Sequence, residues 1–303
     1  MEQTITIRCG FSSAVLALPE SDLYTGVRFD HAGVFREIRR GENVYSARWL
    51  EGPEDPGRHD NVTGPAEEFS AIGYERALPG EVFLKIGVGL LRKEDGAPYD
   101  FTRSYPLVHG GNWSVETGKE RVLFRHLLDS SPWNYDYRKE ICWEEDGGLS
   151  IDHLLSNTGP AFLEGSVYNH NFFTFNGSRI GIGTFAGFPF VPKGNWRNWK
   201  GDAPVGRLTP GGIRLDRDLS EGEKVCIEHL SAADGEKAPY NFSIGNMEAG
   251  LQVDVRSEAP LSRIQFWANH RVACVEPFTP FSIAPGESFR WTLYYQFEKT
   301  SKI

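Results

Sequence analysis

Hydrophobic and polar residues alternate along several short segments of the chain, which is the pattern of a β-strand with one buried face. Residues 289–297 show it most clearly, because aromatic and aliphatic side chains occupy every second position. Residues 251–255 repeat the pattern, and in residues 82–90 every even-numbered position is aliphatic. We predict an antiparallel strand at each of these segments.

Turn-forming sequences separate the alternating segments. They include Asp146-Gly147-Gly148, Pro210-Gly211-Gly212, Asp234-Gly235 and Pro285-Gly286. The chain holds 33 Gly and 18 Pro, and no long stretch has the apolar spacing of a helix. We therefore predict an all-β fold, a large antiparallel two-sheet β-sandwich with helices confined to connections. Closure into a barrel or a propeller is the alternative.

Composition and charge narrow the organisation of the chain and its partners. No linker or compositional break divides the 303 residues, so residues 1–303 are expected to form a single domain. The formal net charge is −9 and basic residues do not cluster, which argues against nucleic acid. No apolar run approaches the roughly 20 residues of a membrane helix. We predict a cytoplasmic monomer or homodimer that acts on a small molecule.

The four cysteines, Cys9, Cys142, Cys226 and Cys274, are widely spaced and form no Cys-x-x-Cys element. This spacing favours neither a zinc knuckle nor a disulfide framework. We expect buried free thiols.

The polar face of residues 82–90 is a first candidate for a site. It carries Lys85, Gly87 and Gly89, and glycines inside a strand often mark the close approach of a ligand. Lys85 would then extend into the open space. Alternatively, the glycines form a bulge and Lys85 is solvated.

A second candidate is the segment 168–177, whose alternation places Tyr168, His170, Phe172 and Thr174 on one face. Such an aromatic floor suits a sugar, whose C–H faces pack on rings while its hydroxyls bind polar groups at the edges. We therefore interpret Tyr168 and Phe172 as substrate-binding residues. The alternative is a hydrogen-bonded histidine in the core.

Glu276 is the third candidate, a single carboxylate within the apolar segment 273–278. Partial desolvation there would raise its pKa toward the range useful for proton transfer. Pro277 biases Glu276 toward an extended backbone and so helps to fix its side chain. A buried ion pair with an arginine such as Arg271 is the alternative.

These motifs together carry a family resemblance. Asn169-His-Asn-Phe-Phe173, Val275-Glu-Pro277 and residues 285–297 resemble the aldose 1-epimerases, the galactose mutarotase family. Pro106-Leu-Val-His-Gly-Gly111 is similar to the family's Leu-His-Gly-Gly segment, and Pro239-Tyr-Asn-Phe242 loosely resembles its Asp-His-Asn-Phe. The resemblance covers most of the chain from about Tyr24 and implies the family's large antiparallel β-sandwich.

The resemblance implies an enzyme that interconverts the α and β anomers of a sugar. It assigns Glu276 as general base, His170 as general acid and His109 as a second histidine that contacts the substrate. Ring opening removes a proton from the anomeric hydroxyl and supplies one to the ring oxygen, so one base and one acid suffice. We expect no metal and no other cofactor.

The chain departs from the family at two places. Pro239 stands where the family has a sugar-binding Asp, and the family's Asn-Arg-Ile segment has no clear counterpart. Lys85 or Arg92 would replace that arginine in binding the substrate. The departures leave the identity of the sugar open.

Two further segments are candidates for the rim of a site. Residues 57–69 hold four side chains that could bind a cation or sugar hydroxyls, namely His59, Asp60, Glu67 and Glu68. Their spacing matches no standard metal loop, and they form either a solvated acidic loop or a pocket rim. Trp199, in the cluster 196–199, is either part of a sugar-stacking platform or part of the cover of a sheet edge.

The same fold class allows other functions. A polysaccharide or uronate lyase would use Tyr168 or His170 as base and Lys85 or Arg103 to neutralise the uronate. A glycosidase would need a second carboxylate beside Glu276, for which Glu67 and Glu68 are the candidates. A sugar-binding protein without catalysis is the remaining alternative.

Overall fold

The computed structural model describes residues 3–200 and 204–300. Its strands in the first half of the chain are β1 (Thr4–Cys9), β2 (Ser12–Ala17), β3 (Val34–Arg40), β4 (Asn43–Ser46), β5 (Gly64–Phe69), β6 (Val82–Lys85), β7 (Gly89–Arg92), β8 (Leu107–His109), β9 (Asn112–Thr117), β10 (Arg121–Leu128), β11 (Tyr135–Trp143) and β12 (Leu149–Asn157). Those in the second half are β13 (Leu163–Phe172), β14 (Thr184–Gly187), β15 (Pro192–Asn198), β16 (Gly206–Thr209), β17 (Gly212–Leu215), β18 (Lys224–Ala232), β19 (Asn241–Asn246), β20 (Leu251–Ser257), β21 (Arg263–Asn269), β22 (Ala273–Ile283) and β23 (Ser288–Lys299). The described residues contain no α-helix, and a 3₁₀ turn occupies Phe175–Gly177. The all-β prediction is confirmed.

Two large antiparallel sheets form the body of the molecule. One has ten strands in the order β16-β17-β14-β19-β20-β23-β12-β11-β10-β9, and the other has six in the order β15-β18-β21-β22-β13-β5. Between them, the ring of Phe69 lies 5.5 Å from Tyr137 and 6.2 Å from Trp291. The hydroxyl of Tyr295 donates to Asn171 Oδ1 across the same interface at 3.0 Å. The predicted two-sheet sandwich is therefore correct.

Two smaller sheets lie beside the sandwich, with the strand orders β1-β2-β3-β4 and β6-β7-β8. The first packs into the main core through residues such as Ile7 and Leu16. The second has an aromatic cluster of its own around Tyr74 and Phe83.

The alternation of residues 289–297 and 251–255 predicts their structure correctly, since they lie in β23 and β20. Turn predictions also hold. Gly147 joins β11 to β12 and Gly286 joins β22 to β23, both with φ of 83°. This backbone conformation is open to glycine and strained for other residues.

The prediction of one strand at 82–90 is wrong, because the segment folds back on itself as β6 and β7. Gly87 and Gly89 have φ values of 74° and 131°, which allow the reversal. A Cβ atom on Gly87 would lie 2.2 Å from Asp30 Oδ1, so the turn also packs tightly. The glycines therefore serve the turn.

Residues 64–69 of the predicted acidic loop form β5, which is buried along its whole length. Successive side chains of a strand point to opposite faces, so Glu67 and Glu68 separate. Glu67 lies between the two large sheets, where it contacts Lys139, His153 Nε2 at 3.2 Å and Asn169 Nδ2 at 2.8 Å. Glu68 lies on the opposite face.

Lys139 is the cation of this interior network and also lies 3.7 Å from Asp30 Oδ2. Burial raises the pKa of Asp30 to about 6, although Lys139 opposes the shift. Burial alone would raise the pKa of Glu67 as well, but Lys139 and His153 outweigh it and lower the pKa to about 2. The interior of the sandwich therefore depends on one buried lysine.

The four cysteines are free. Cys226 and Cys274 are buried as predicted, whereas Cys9 and Cys142 are partly exposed. Across residues 3–200 and 204–300, no helix has the length and apolar character needed to cross a membrane.

Candidate active site

The candidate site is a cavity of about 820 Å³ on the face of the six-stranded sheet that points away from the ten-stranded sheet. The alternation of its strands supplies the floor, which includes Tyr168, His170 and Phe172 of β13. Glu276 of β22 and Glu68 of β5 line the same cavity. The aromatic face predicted for the segment 168–177 is formed at these three positions of β13.

The register of β13 and β22 brings His170 and Glu276 together. Tyr168 pairs with Phe278, and the isolated bridge between Phe173 and Ala273 continues the same register, so His170 lies opposite Glu276. Directly opposed residues on neighbouring strands are within side-chain contact. His170 Nε2 lies 3.3 Å from Glu276 Oε1.

Aromatic rings enclose the imidazole of His170, which is only 5% exposed. It stacks on Phe172, with 3.8 Å between ring centroids and an angle of 10°. The rings of Trp267 and Phe29 meet it edge to face at 5.5 Å and 6.1 Å. These contacts fix the plane of the imidazole and exclude water from its faces.

Burial shifts the pKa values of the pair in opposite directions. Desolvation raises the pKa of Glu276 to about 7, and nearby Arg28 only partly opposes this. Desolvation, reinforced by Arg28 and His59, lowers the pKa of His170 well below its ordinary value. At neutral pH the imidazole is therefore uncharged, and Glu276 is close to half protonated.

A second polar group, formed by Arg28, Glu68 and Tyr168, lines the cavity beside this pair. Arg28 donates to Glu68 Oε2 at 2.6 Å and to the Tyr168 hydroxyl at 2.8 Å. The Tyr168 hydroxyl in turn donates to Glu68 Oε2 at 2.6 Å. Burial alone would raise the pKa of Glu68, but Arg28 and Lys85 outweigh it and hold the pKa below its usual value.

Residues from several loops complete the rim, among them His59, Asp60 and Phe101. The guanidinium of Arg28 lies 4.1 Å from the centroid of Phe101. Within the predicted acidic segment, His59 and Asp60 therefore reach the cavity.

Trp199 also lines the cavity and is 50% exposed. It follows β15, the edge strand of the six-stranded sheet, and Trp196 within β15 packs against the core. The tryptophan cluster thus matches both interpretations, with Trp196 at the sheet edge and Trp199 available to a ligand.

Lys85, His109 and Arg92, predicted to bind substrate, do not line this cavity. Lys85 is fully buried and donates to the Phe69 carbonyl at 2.5 Å, with Glu68 Oε1 3.5 Å away. Its ammonium therefore pairs with the buried Glu68, so it neither extends into open space nor contacts solvent. His109 lies on β8 and Arg92 lies on β7, and both strands belong to the three-stranded sheet.

Other residues weighed from the sequence also lie elsewhere. Pro239 is exposed just before β19, a strand of the ten-stranded sheet, and does not line the cavity. Arg271 pairs with Glu51 at 2.7 Å, which leaves Glu276 to His170. Arg103 pairs with Asp95 outside the cavity.

Sequence reasoning missed Arg28, Arg263, Gln265 and Trp267, which all line the cavity. The last three alternate along β21 with the buried residues Ile264, Phe266 and Ala268. This alternation with buried residues could have predicted that the three side chains lie on the same exposed face of a strand. Arg28 lies in an irregular segment between β2 and β3, where no periodicity marks it.

Within the described ranges, no group of three or more His, Cys, Asp or Glu side chains is placed to hold a metal ion. The polar groups next to the pair of His170 and Glu276 are instead the carboxyl of Glu68, the guanidiniums of Arg28 and Arg263, the phenol of Tyr168 and the amide of Gln265. Together with the pair, this set can exchange protons and donate hydrogen bonds to a polar ligand.

The fold is similar to that of several solved structures. A galactose mutarotase-like protein from Clostridium acetobutylicum is 13% identical with a TM-score of 0.56, over 98% of this chain and 95% of that one. A galactose mutarotase-like protein from Lactobacillus casei is 13% identical with a TM-score of 0.54, over 97% and 100% of the two chains. The GalM/aldose epimerase homologue from C. elegans is 13% identical with a TM-score of 0.51, over 98% and 99%.

At these identities the comparison establishes the fold: the chain is a galactose mutarotase-like β-sandwich. No protein-family model matches the sequence, and no curated protein matches it either.

Proposed function

We propose that the protein is a carbohydrate-acting isomerase of the aldose 1-epimerase type, which interconverts the α and β anomers of an aldose. The observation that carries this proposal is the contact between His170 and Glu276, 3.3 Å apart on the floor of an aromatic cavity. The fold shared with galactose mutarotase-like proteins supports it.

The cavity suits a sugar ring. Trp267 offers an apolar surface for C–H groups, while Gln265 and the network of Arg28 and Glu68 offer hydrogen bonds to hydroxyls. Phe172, predicted to bind substrate, is only 1% exposed and stacks on His170 and Trp49, so it supports the imidazole instead. A cavity of about 820 Å³ is within the usual range for small-molecule sites.

The pair provides the two proton transfers that ring opening requires. The anomeric hydroxyl oxygen and the ring oxygen are bonded to the same carbon, so an acid and a base in mutual contact can reach both. One group takes the hydroxyl proton as the C1–O5 bond breaks, and the other protonates O5. Rotation about C1–C2 and ring closure with reversed roles give the other anomer.

The shifted pKa values change which residue starts with the proton. The family resemblance assigns Glu276 as base and His170 as acid. Burial favours the opposite form, in which Glu276 carries the proton and neutral His170 accepts one. Both forms hold a single proton on the pair, so they are kinetically equivalent.

The site gives less support to the alternatives. A lyase would need Tyr168 as a base, but burial raises its pKa well above the ordinary value and Arg28 and Glu68 hold its hydroxyl. Lys85 and Arg103 lie outside the cavity, but His170 could act as the base and Arg263 could neutralise a uronate, so the products of the reaction distinguish a lyase from an isomerase. A glycosidase could use Glu68 beside Glu276, but three side chains already bind Glu68.

Polarimetry or one-dimensional NMR of freshly dissolved α-aldoses tests the proposal, using the wild type, His170→Asn and Glu276→Gln. We expect each variant to lose on the order of 100-fold or more in kcat/KM, the usual contribution of a general acid or base. His229→Asn is the matched control, since His229 is exposed on β18 and does not line the cavity.

Equal rates for the wild type and both site variants on a broad panel of aldoses would refute the proposal. Unsaturated products released from uronate polymers would identify a lyase instead. Unchanged sugar affinity in both variants, with no reaction catalysed by the wild type, would identify a binding protein.

A further inference from the structure

In the described part of the chain, some charged side chains of the cavity have no partner of opposite charge, and these unpaired charges bear on which substrate the cavity binds. Three of its carboxylates have cationic partners: Asp60 pairs with Arg58 at 2.6 Å, Glu68 with Arg28 at 2.6 Å and Glu228 with Arg197 at 3.4 Å. The fourth, Glu276, contacts a neutral imidazole. Among the described residues, the cavity's two other cations, Arg263 and Lys224, form no salt bridge. The cavity thus offers unpaired positive charge in a protein of net charge −9.

We propose that Arg263 binds an anionic group on the substrate, so that the preferred aldose carries a carboxylate or a phosphate. This inference rests on the proposed function and deepens it, because it names the substrate class of the same site.

The position of Arg263 suits this role. In the register of β21 and β22, Gln265 pairs with Glu276 and Arg263 pairs with Phe278. Arg263 therefore lies one row of the sheet from the reacting pair, about 7 Å along the strand. A substituent on the exocyclic carbon of an aldose, next to the ring oxygen, can span that interval while C1 lies at Glu276.

The conformation of Arg263 leaves its hydrogen-bond donors available. Its guanidinium lies 3.8 Å from the centroid of Phe278, whose ring stacks on Tyr168 at 4.3 Å. Stacking uses the face of the guanidinium and leaves its five in-plane N–H groups, which match a carboxylate or phosphate in a bidentate pair. Within the described residues these groups donate no hydrogen bond to the protein, whereas Arg28 spends its donors on Glu68 and Tyr168.

Electrostatics favours a cation at this place. An anionic substrate would approach Glu276, which is ionised for part of the time near neutral pH, and Glu68, which is ionised throughout. Arg263 offsets that repulsion next to the reacting pair. Lys224 pairs with Asn269, six residues along β21 from Arg263, so the two backbone positions are roughly 20 Å apart along the strand and Lys224 lies farther from the reacting pair than Arg263 does.

The experiment compares glucose, glucuronate and glucose 6-phosphate as substrates for the wild type, Arg263→Gln and Arg256→Gln. Arg256 is the matched control: its guanidinium also lies over an aromatic ring, 4.8 Å from the centroid of Tyr294, but on the ten-stranded sheet. Assays at pH 6 keep Glu276 mainly protonated in every variant.

We expect the wild type to prefer at least one anionic aldose to glucose. In Arg263→Gln the ratio of kcat/KM for that aldose to kcat/KM for glucose should fall about tenfold or more, through KM, as for the loss of a charged hydrogen bond. Arg256→Gln should keep the wild-type ratio. The anion that suffers the larger loss, carboxylate or phosphate, is the one that Arg263 binds.

A wild type that prefers glucose to both anionic sugars, or an unchanged ratio in Arg263→Gln, would overturn the inference. If the wild type anomerises neither these three sugars nor any of the broad panel of aldoses, the proposed function fails, and calorimetric binding of glucuronate and glucose 6-phosphate decides the inference separately. Anion affinity lost in Arg263→Gln and kept in Arg256→Gln would then support it, and equal affinities would overturn it.

Discussion

His170 and Glu276 show how burial alone can prepare two side chains for proton exchange. Neither has a fully charged partner in contact, yet desolvation raises the pKa of the carboxyl and lowers that of the imidazole. The usual order of the two pKa values is thereby reversed, so that the carboxyl holds the proton and the neutral imidazole is free to accept one. Perturbed groups of this kind are a frequent mark of functional sites.

The pH profile of anomerisation follows from these shifts. The pair needs a single proton, and raising the pH through about 7 removes it from Glu276. We expect kcat/KM to be level between about pH 5.5 and 6.5 and to fall tenfold per pH unit well above pH 7. Initial rates by polarimetry, corrected for the buffer-catalysed reaction, provide the test. A rate that rises through pH 7 would show that ionised Glu276 acts without a proton on the pair.

Glu276 should also make folding stability depend on pH. Its pKa is higher in the folded protein, about 7, than the ordinary value of 4.5, so the folded state holds the proton more tightly. The stability gained is present below pH 4.5 and is lost as the pH rises from 4.5 to 7. The glutamine of Glu276→Gln does not titrate. The free energy of unfolding of this variant, relative to that of the wild type, should therefore rise by up to about 3 kcal/mol between pH 4.5 and 8.

Urea denaturation across that pH range measures the effect, and Glu236→Gln, in an exposed loop, serves as the control. A difference between Glu276→Gln and the wild type that does not change with pH would contradict the assigned shift.

At the scale of residues, alternation in the segment 168–174 predicts the face on which His170 lies. Glu276 is conspicuous as a single carboxylate in an apolar segment, and only the family resemblance joins the two residues as a pair. Alternation fails for Lys85, whose position depends on a chain reversal that alternation alone does not reveal. It also fails for Arg28, because an irregular segment carries no period from which a side-chain direction follows.

The hairpin of β6 and β7 is the element in which local pattern and structure disagree. Leu84, Ile86 and Leu90 pack into the main core, and Val88 packs into the aromatic cluster around Tyr74 and Phe83. At the turn, the Gly87 N–H donates to the Tyr135 hydroxyl at 3.2 Å. Alternation reports burial, and a tight turn with buried residues on both arms can imitate a continuous strand.

Gly87→Ala should be more destabilising than an ordinary substitution at positive φ. Backbone strain costs about 1 kcal/mol, and the new methyl group would clash with the buried carboxylate of Asp30. We expect a total loss of roughly 2–4 kcal/mol, typical of overpacking added to strain. Gly286→Ala, at φ 83° with nothing within 4 Å of the added Cβ, isolates the strain. If chemical denaturation gave the same loss of unfolding free energy for both variants, the turn would accommodate the methyl group without a steric cost.

At the scale of the molecule, the sandwich places ionised groups on both faces of its six-stranded sheet. The alternation of Glu67 and Glu68 sends one carboxylate into the core and the next into the cavity. The all-β class and the two large sheets follow from alternation and turns in the sequence. The pairing of distant strands, such as β5 with β13, depends on contacts that no local pattern contains.

Lys139→Met tests the interior network. Removal of the ammonium would leave Glu67 and Asp30 buried without their cation, and the loss of one partner of a buried ion pair typically costs 3–5 kcal/mol. The deficit should shrink at low pH, because protonation relieves the unpaired carboxylates. Lys119→Met, at an 84% exposed side chain, should change stability by less than about 0.5 kcal/mol. Similar denaturation midpoints for the two variants would contradict this account.

The registration of His170 against Glu276 also constrains how such a protein can change during evolution. Insertion or deletion of one residue in β13 or β22 would turn every following side chain to the other face and replace the reacting pair with core residues. Point substitutions and changes in loop length do not carry that penalty. New sugar preferences are therefore expected to arise in rim segments such as 57–61 and 95–104, while the lengths of β13 and β22 stay fixed.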